Sequence, residues 1–202
     1  MIRPLLWLSL VPLMAGPATA QEASLEKQAR KLHKLAGGDA CETSGYVPEN
    51  DYESWTFSYL PSWSSGDESD RAEVTLVRLF CYAGAYNESH AYYLLRDFDG
   101  LQPVGFAEPA FDVKYENDDY NGAVEAITVV GMASRNLLVN SYFDPETLTI
   151  ESFSKWRGLG DASSAGTWIF RDGAFSLVHF AVDASYDGEM DGQVLVDYQS
   201  ER

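Results

Sequence analysis

The sequence predicts a mainly β domain of antiparallel sheets, either a sandwich or two packed sheets, with one α-helix at its N-terminal end. Short runs of β-branched and aromatic residues recur between turn-forming residues over most of the 202-residue chain. One stretch, from Glu22 to Leu35, has the 3.6-residue periodicity of an amphipathic helix. We therefore expect a signal peptide at residues 1–20, a helix within 21–38 and a β-rich domain over 39–202.

The first twenty residues have the order of parts found in secretory signal peptides. Arg3 supplies a positive charge, residues 5–14 form an apolar run, and Ala18 and Ala20 frame a small-residue cleavage site. A membrane-spanning helix needs about 20 apolar residues, and Pro12 interrupts this run well before that length. We expect cleavage after Ala20 and a periplasmic or secreted protein with no stable membrane insertion afterwards.

The helix prediction depends on four apolar residues near helical spacing and on clear end signals. Ser24 is a suitable N-cap, and Gly37 and Gly38 are a stop signal. The apolar positions are Leu25, Ala29, Leu32 and Leu35, with charged residues between them. This pattern favours a helix that packs one face on its own domain, although a contact arm for a partner is also possible.

Ten runs after Gly38 have the composition of β-strands. Asp144–Thr147 and Asp172–Gly173 have the chemistry of tight turns between strands, and Asp99–Gly100 is a further turn signal. The predicted strands are 55–60, 73–82, 91–96, 104–107, 123–130, 136–143, 148–156, 167–171, 175–182 and 193–198. Their number and spacing predict an antiparallel β domain in which the 175–182 strand, apolar on both faces, is central.

The chain is strongly acidic, with 31 Asp and Glu residues against 14 Lys and Arg and a formal charge of −17. Loss of Arg3 with the leader would make the charge about −18 by the same count. Such a charge disfavours nucleic acid and anionic membranes as partners and favours cationic proteins or metal ions. The alternative is that the charge only keeps an exported protein soluble.

Two cysteines, Cys41 and Cys81, are the only ones in the chain. In an exported protein two cysteines usually form a disulfide, and closing this loop would stabilise the fold by about 4 kcal/mol. Two free thiols, one of them buried in a strand, are the alternative. Neither cysteine has the CxxC or Cys–His spacing that is typical of a zinc site.

Two segments resemble the DUF1176 family, a group of exported bacterial proteins of unknown function. The first is Phe80–Asn87, and the second comprises Gly158–Asp161, Gly166–Trp168 and Arg171–Val178. The resemblance spans most of the chain from Cys81 onward. Because the family has no known reaction, cofactor or ligand, the resemblance implies no catalytic residue.

The sequence departs from the family pattern at two cysteine positions. In that pattern one cysteine follows the Gly-Leu-Gly-Asp motif and another precedes a glycine turn near the C-terminus, whereas Ala162 and Tyr186 stand there in this chain. The joint loss of both is what the loss of a disulfide would look like. Cys41 and Cys81 then remain as the only possible pair.

The glycine loops Gly84–Asn87 and Gly158–Asp161 are the candidate ligand site. The hypothesis is that both loops lie at one end of the sheets and present Tyr86, Asn87, Arg157 and Asp161 to a ligand. Exposed tyrosines on a β scaffold stack on sugars or anchor protein interfaces. The alternative is that these loops are tight turns that set the strand register, with Arg157 and Asp161 paired across one of them.

Two acidic loops suggest a calcium site. Oxygen-bearing residues precede a glycine at 117–122 and again at 183–188, and the candidate ligands are Asn117, Asp119, Asn121, Asp183 and Asp187. Neither loop has a glutamate at its twelfth position, where Thr128 and Val194 stand instead. Acidic turns without a metal are common in a chain of this composition.

The sequence favours a binding protein over an enzyme. His33, His90 and His179 are the only histidines, and neither a G-x-S-x-G elbow nor an HExxH motif is present. We expect an exported acidic binding or interaction protein for a cationic envelope or host protein, for example a lysozyme-like enzyme. The alternatives are an envelope enzyme or glycan-binding protein that uses the two glycine loops, and a calcium-stabilised structural protein.

Overall fold

A computed structural model describes residues 17–41, 45–120 and 122–198, with side chains described from Gln21 onward. Most of the predicted leader therefore lies outside the described residues, and signal cleavage stays a prediction. The helix α1 spans Pro17–Gly37 and is followed by a 3-10 turn at Gly38–Cys41. The predicted helix is confirmed, and it begins four residues before the predicted cleavage site.

Twelve strands occupy the described part of the chain. They are β1 (Tyr52–Tyr59), β2 (Ala72–Ala83), β3 (Glu88–Arg96), β4 (Gly100–Pro103), β5 (Phe106–Tyr115), β6 (Val124–Arg135), β7 (Leu137–Val139), β8 (Tyr142–Asp144), β9 (Thr149–Lys155), β10 (Ser163–Arg171), β11 (Ala174–Asp183) and β12 (Gln193–Asp197). Every recorded pairing is antiparallel. The predicted mainly β, antiparallel fold with one N-terminal helix is confirmed.

The strands form two five-stranded sheets and one hairpin. In the first sheet β1, β2 and β3 are neighbours, and the far edge of β3 is shared by β4 and β7. The second sheet has the order β12-β11-β10-β9-β8. The hairpin β5–β6 forms a separate two-stranded sheet in which β5 contacts β11.

The first sheet is covered on both faces, which explains why β2 and β3 carry apolar residues on both of their faces. Val77 and Leu79 of β2 pack with Tyr93 of β3 against Ala29 of α1. The alternate residues of the same strands, such as Leu76, point to the opposite face and enter the main core between the two sheets. The layers are therefore the helix, the first sheet and the second sheet.

Two sequence expectations need correction in detail, and a third is confirmed. The predicted strand 136–143 is two strands, β7 and β8, because the backbone of Asn140 between them adopts a left-handed conformation with φ of 44°. The predicted strand 104–107 overlaps only the first two residues of the long strand β5, which runs from Phe106 to Tyr115. The Asp172–Gly173 turn is confirmed, since both residues have positive φ between β10 and β11.

Candidate functional site

The predicted disulfide between Cys41 and Cys81 is present and closes a loop over a separation of 40 residues. It joins the turn after α1 to β2, so it fastens the helix to the outer face of the first sheet. Close beside it, the Nδ1 atom of His33 lies 2.9 Å from the Tyr93 hydroxyl. The cysteine pair is thus part of the attachment of the helix.

The two glycine loops lie close together, and Asn87 joins the first loop to the end of β9, which precedes the second loop. Its Nδ2 donates to the carbonyl oxygen of Lys155 at 2.8 Å, and its Oδ1 accepts from the Lys155 amide at 3.2 Å. The Tyr86 hydroxyl donates to the Trp156 carbonyl oxygen at 3.1 Å. The turn between β2 and β3 is therefore hydrogen-bonded to the end of β9, which docks the first sheet onto the second.

Asn140, which the sequence analysis did not single out, completes this junction. Its Nδ2 donates to Asn87 Oδ1 at 2.8 Å and to the Phe153 carbonyl oxygen at 2.9 Å. Its Oδ1 accepts the Glu88 amide at 2.8 Å. An asparagine tolerates the left-handed backbone found here, and that tolerance is the only signal in the sequence that could have indicated it.

Arg157 and Asp161 form a salt bridge that faces a different loop. The Asp161 carboxylate is 1% exposed, accepts from the Gly188 amide at 2.9 Å and is paired with the guanidinium of Arg157. The pKa of Asp161 lies well below its usual range, because its carboxylate accepts hydrogen bonds first from Arg157 and then from the backbone amides of Ala162 and Gly188. These contacts tie the β9–β10 loop to the β11–β12 loop.

The same two loops hold the positions at which the family pattern has cysteines. Ala162 is fully buried, and Arg157 donates to the carbonyl oxygen of Tyr186 at 2.8 Å while lying 5.2 Å from the centre of its ring. The Arg157–Asp161 pair therefore makes a noncovalent connection between loops that a disulfide would join covalently. Arg157 and Asp161 are thus engaged with each other and with the β11–β12 loop, and a ligand site that combines them with Tyr86 and Asn87 stays a prediction.

An open concavity near the glycine loops lies beside the β2–β3 turn, and we call it the turn groove. It consists of two adjoining cavities of about 420 and 490 Å³ that share Tyr46, Glu88 and Asn140. The other lining residues are Pro48, Glu49, Asn50, Arg78, Ala83, Gly84, Ala85, Tyr86, Asn87, His90 and Ser141. Most of the first family-like segment, Phe80–Asn87, therefore borders this groove.

The rim of the turn groove is acidic and aromatic. The side chains of Tyr46 and Tyr86 are 52% and 42% exposed. Glu88 raises the pKa of the Tyr46 phenol, first through its negative charge and then through a hydrogen bond. Glu49 lines the same groove. Apart from the histidine, the one basic side chain among the described lining residues is Arg78, which forms an ion pair with Glu53 outside the groove.

The floor of the turn groove is a hydrogen-bonded cluster around Ser141. Its hydroxyl lies 3.1 Å from His90 Nδ1 and accepts from the Tyr92 hydroxyl at 2.9 Å. Arg78 donates to the Ser141 carbonyl oxygen at 2.6 Å. Burial and the charge of Arg78 lower the pKa of His90 to about 4. Protonation of this imidazole is thus disfavoured, so the His90–Ser141 contact has the character of a structural hydrogen bond.

The two acidic loops lie side by side, with the rings of Tyr120 and Tyr186 6.4 Å apart. The Asp183 carboxylate accepts from the Ser185 amide at 3.0 Å and from the Asp191 amide at 3.0 Å, which folds its own loop. Asp187 accepts from the Glu189 amide at 2.9 Å. Two carboxylates among the predicted ligands therefore already have backbone partners.

The other predicted calcium ligands lie between β5 and β6 in the chain. Asn117 and Asp119 lie at the tip of the β5–β6 hairpin, and Asn121 lies outside the described residues. Over the described ranges, one group of three His, Cys, Asp or Glu residues has its ligand atoms within 4.8 Å of one another, namely His33, Cys41 and Cys81. Because those two sulfurs are bonded to each other, calcium binding stays a prediction for titration to test.

A second surface, which the sequence analysis missed entirely, is the outer edge of β6. This strand pairs with β5 on one side and with no other strand in the part of the chain that the structure describes. Its side chains Val129, Val130 and Met132 are 43%, 59% and 58% exposed. The signal in the sequence is the stretch 126–134, which has no charged residue in a chain of charge −17.

Comparison with known proteins gives one match. A family model described as a protein of unknown function (DUF1176) matches residues 68–193, which is 126 of the 202 residues. No curated protein and no solved structure matches the chain. Within the described residues, none of the helices has the length and apolar character that a membrane span requires.

Proposed function

Since the chain belongs to the DUF1176 family, whose function is unknown, we propose from its own geometry that it is an exported interaction module. In this proposal the protein acts in the periplasm or outside the cell and holds a cationic protein at the turn groove. Export is inferred from the leader and is consistent with the disulfide.

One observation carries the proposal: the turn groove combines carboxylates with half-exposed tyrosines. A lysine or arginine side chain from a partner would find Glu49 and Glu88 as counter-ions and the ring of Tyr46 or Tyr86 as a surface for a cation–π contact. Arg78 does not compete strongly for those carboxylates, because its guanidinium is engaged by Glu53 and by the Ser141 carbonyl oxygen.

The net charge supports the same kind of partner through long-range attraction. A chain of charge −17 accelerates encounters with a basic protein and repels acidic ones. Such attraction is screened beyond about 8 Å at physiological ionic strength. Specific binding at the groove would therefore outlast the salt concentration at which nonspecific attraction disappears.

The test uses the chain from Gln21 onward and a basic lysozyme as the probe. We expect Glu49→Gln and Glu88→Gln each to weaken binding by about fivefold or more, as is typical for an ion pair at an interface. The matched control is Glu146→Gln, which removes the same charge from the exposed β8–β9 turn. Equal losses for all three variants would reduce the effect to net charge and contradict a site at the groove.

A glycan is the second candidate, because exposed tyrosines in the same groove as the amide side chain of Asn50 also suit a sugar ring. Titration with cell-wall oligosaccharides separates the two functions. A sugar site would depend on Tyr86→Ala far more than on Glu49→Gln and would change little with salt. A protein site would show the reverse order and a clear salt dependence.

A further inference from the structure

The outer edge of β6 presents a long row of backbone groups, and no strand of the described part of the chain lies beside it. The strand is 12 residues long, and in the described residues it is paired with β5 alone. Exposed strand edges recruit further strands, and proteins usually protect them with charges, prolines or a covering segment. Residues 126–134 of β6 contain neither a charge nor a proline.

The charges at the two ends of this neutral stretch are opposite and symmetrically placed. Glu125 and Arg135 each lie five positions from Val130. If two copies of β6 pair antiparallel about a two-fold axis at Val130, Glu125 of each copy stands opposite Arg135 of the other. Opposite charges facing each other across an antiparallel strand pair are stabilising, so the strand is complementary to itself.

The hairpin extends this complementarity to its second strand. Within one copy, Lys114 of β5 is paired with Glu125, and Glu108 of β5 lies 3.4 Å from Arg135. In the two-fold arrangement the four charges alternate in sign across the four strands, in the order Lys114, Glu125, Arg135 and Glu108. Two such rows would close the two ends of the joined sheet.

Two β-bulges in β6 are compatible with this register. The pairing with β5 shifts between Gly131 and Val129 and again between Ala126 and Val124, so Val130 and Glu125 are each the extra residue of a bulge. Because Val130 would lie on the two-fold axis, both copies carry the first bulge at the same point and the register between the axis and Glu125 is unchanged, while the second bulge lies at the end of the paired stretch, where Glu125 would face Arg135. The exposed side chains of Val129, Val130 and Met132 would be covered near the axis.

We propose that the chain forms a symmetric homodimer through antiparallel pairing of β6 with β6 of a second copy, which joins the two hairpins into one four-stranded sheet. This assembly uses different residues from the turn groove and goes beyond the proposed function. A single strand pair is a small interface compared with the 1,200–2,000 Å² (roughly) of stable complexes. The dimer should therefore be in a concentration-dependent equilibrium.

The test is sedimentation equilibrium of the chain from Gln21 onward, from about 1 to about 500 µM at about 0.15 M salt, where net charges are screened. We expect the weight-average mass to rise with protein concentration from that of one chain toward that of two. Val130→Lys, which would place two like charges at the axis, should weaken the dimer at least about tenfold. Phe98→Lys introduces the same positive charge at a fully exposed turn residue. It should leave the dimer dissociation constant within about twofold of that of the unmodified chain.

A charge-swap series provides the decisive comparison. Glu125→Lys and Arg135→Glu should each weaken the dimer, and the double variant should recover it, because the pair across the axis is restored while both pairs within a copy stay broken. Near-ultraviolet circular dichroism checks that each variant is folded. The proposal is overturned if the unmodified chain stays monomeric, if Phe98→Lys weakens the dimer as much as Val130→Lys, or if the double variant remains as weak as the singles.

Discussion

His90 makes the stability of the protein depend on pH between about 6.5 and 4. The imidazole is 5% exposed, is hydrogen-bonded to Ser141 and lies near the positive charge of Arg78. Burial, followed by that charge, lowers its pKa from 6.5 to about 4. The folded protein thus holds His90 neutral at pH values where the unfolded chain already protonates it.

The sign and size of the effect follow from this difference. Above pH 6.5 both states hold the neutral form, so the contribution of His90 to the free energy of unfolding does not vary with pH. As the pH falls from 6.5 toward 4, the unfolded state binds the proton first and stability is lost. The loss is about 1 kcal/mol at pH 5.5 and about 3 kcal/mol at pH 4, from the folded and unfolded pKa values.

Urea unfolding of the chain and of His90→Gln between about pH 7.5 and about pH 4 measures this loss. The glutamine can still contact Ser141 but does not titrate, so we expect the variant to lose about 3 kcal/mol less over this range. An identical pH slope in the protein and in His90→Gln would refute the reasoning.

Three further changes test the structure. Replacing both Cys41 and Cys81 by alanine should lower the free energy of unfolding by about 4 kcal/mol, for a loop closed over 40 residues, and the urea midpoint by about 2 M. The stability of this variant should no longer change when reductant is added. Gly166→Ala would place a Cβ 2.3 Å from the Trp168 ring and should lower the free energy of unfolding by about 1–3 kcal/mol. Asn87→Ala removes the side-chain bonds between the sheets and should cost about 1–3 kcal/mol in the same assay, so an unchanged midpoint would contradict its role in the junction.

The fold class was predictable because it depends on local pattern. The apolar alternation of the strands, the helical spacing of Leu25, Ala29 and Leu32, and the turn chemistry of Asp172–Gly173 each act over a few neighbouring residues. All of them appear in the structure at close to their expected positions. The disulfide was also predictable, because two cysteines allow only one pairing.

Strand β5 shows where local pattern was insufficient. Pro109, Asp112 and Lys114 interrupt its apolar character, so only the stretch 104–107 read as a strand. The strand exists because β6 pairs with it over ten positions and because Phe111 and Val113 pack against the main core. Both causes are long-range contacts, which a window of a few residues does not contain.

The neighbourhood of the two glycine loops was predictable from the sequence, whereas the backbone hydrogen-bond partners of their side chains were not. The two glycine loops are adjacent, as the sequence suggested. However, the amide group of Asn87 is hydrogen-bonded to Lys155, and the carboxylate of Asp161 is bound by Arg157 and by the Gly188 amide. Loops that join two sheets need such side chains to satisfy backbone groups away from water. The same residue types that indicate a ligand site thus also serve a structural junction.

The family match covers the junction between the sheets and most of the turn groove, but not the whole groove. The junction residues Asn87 and Asn140 lie within the matched region 68–193, as do Tyr86 and Glu88 of the groove, whereas Tyr46 and Glu49 precede it. A partner that depends on those two side chains would be recognised by features of this chain that the family match does not cover. Exchanging the 45–50 segment for a neutral one, with the junction left intact, should remove binding of a basic protein while preserving the fold, and loss of both together would place the groove within the scaffold instead.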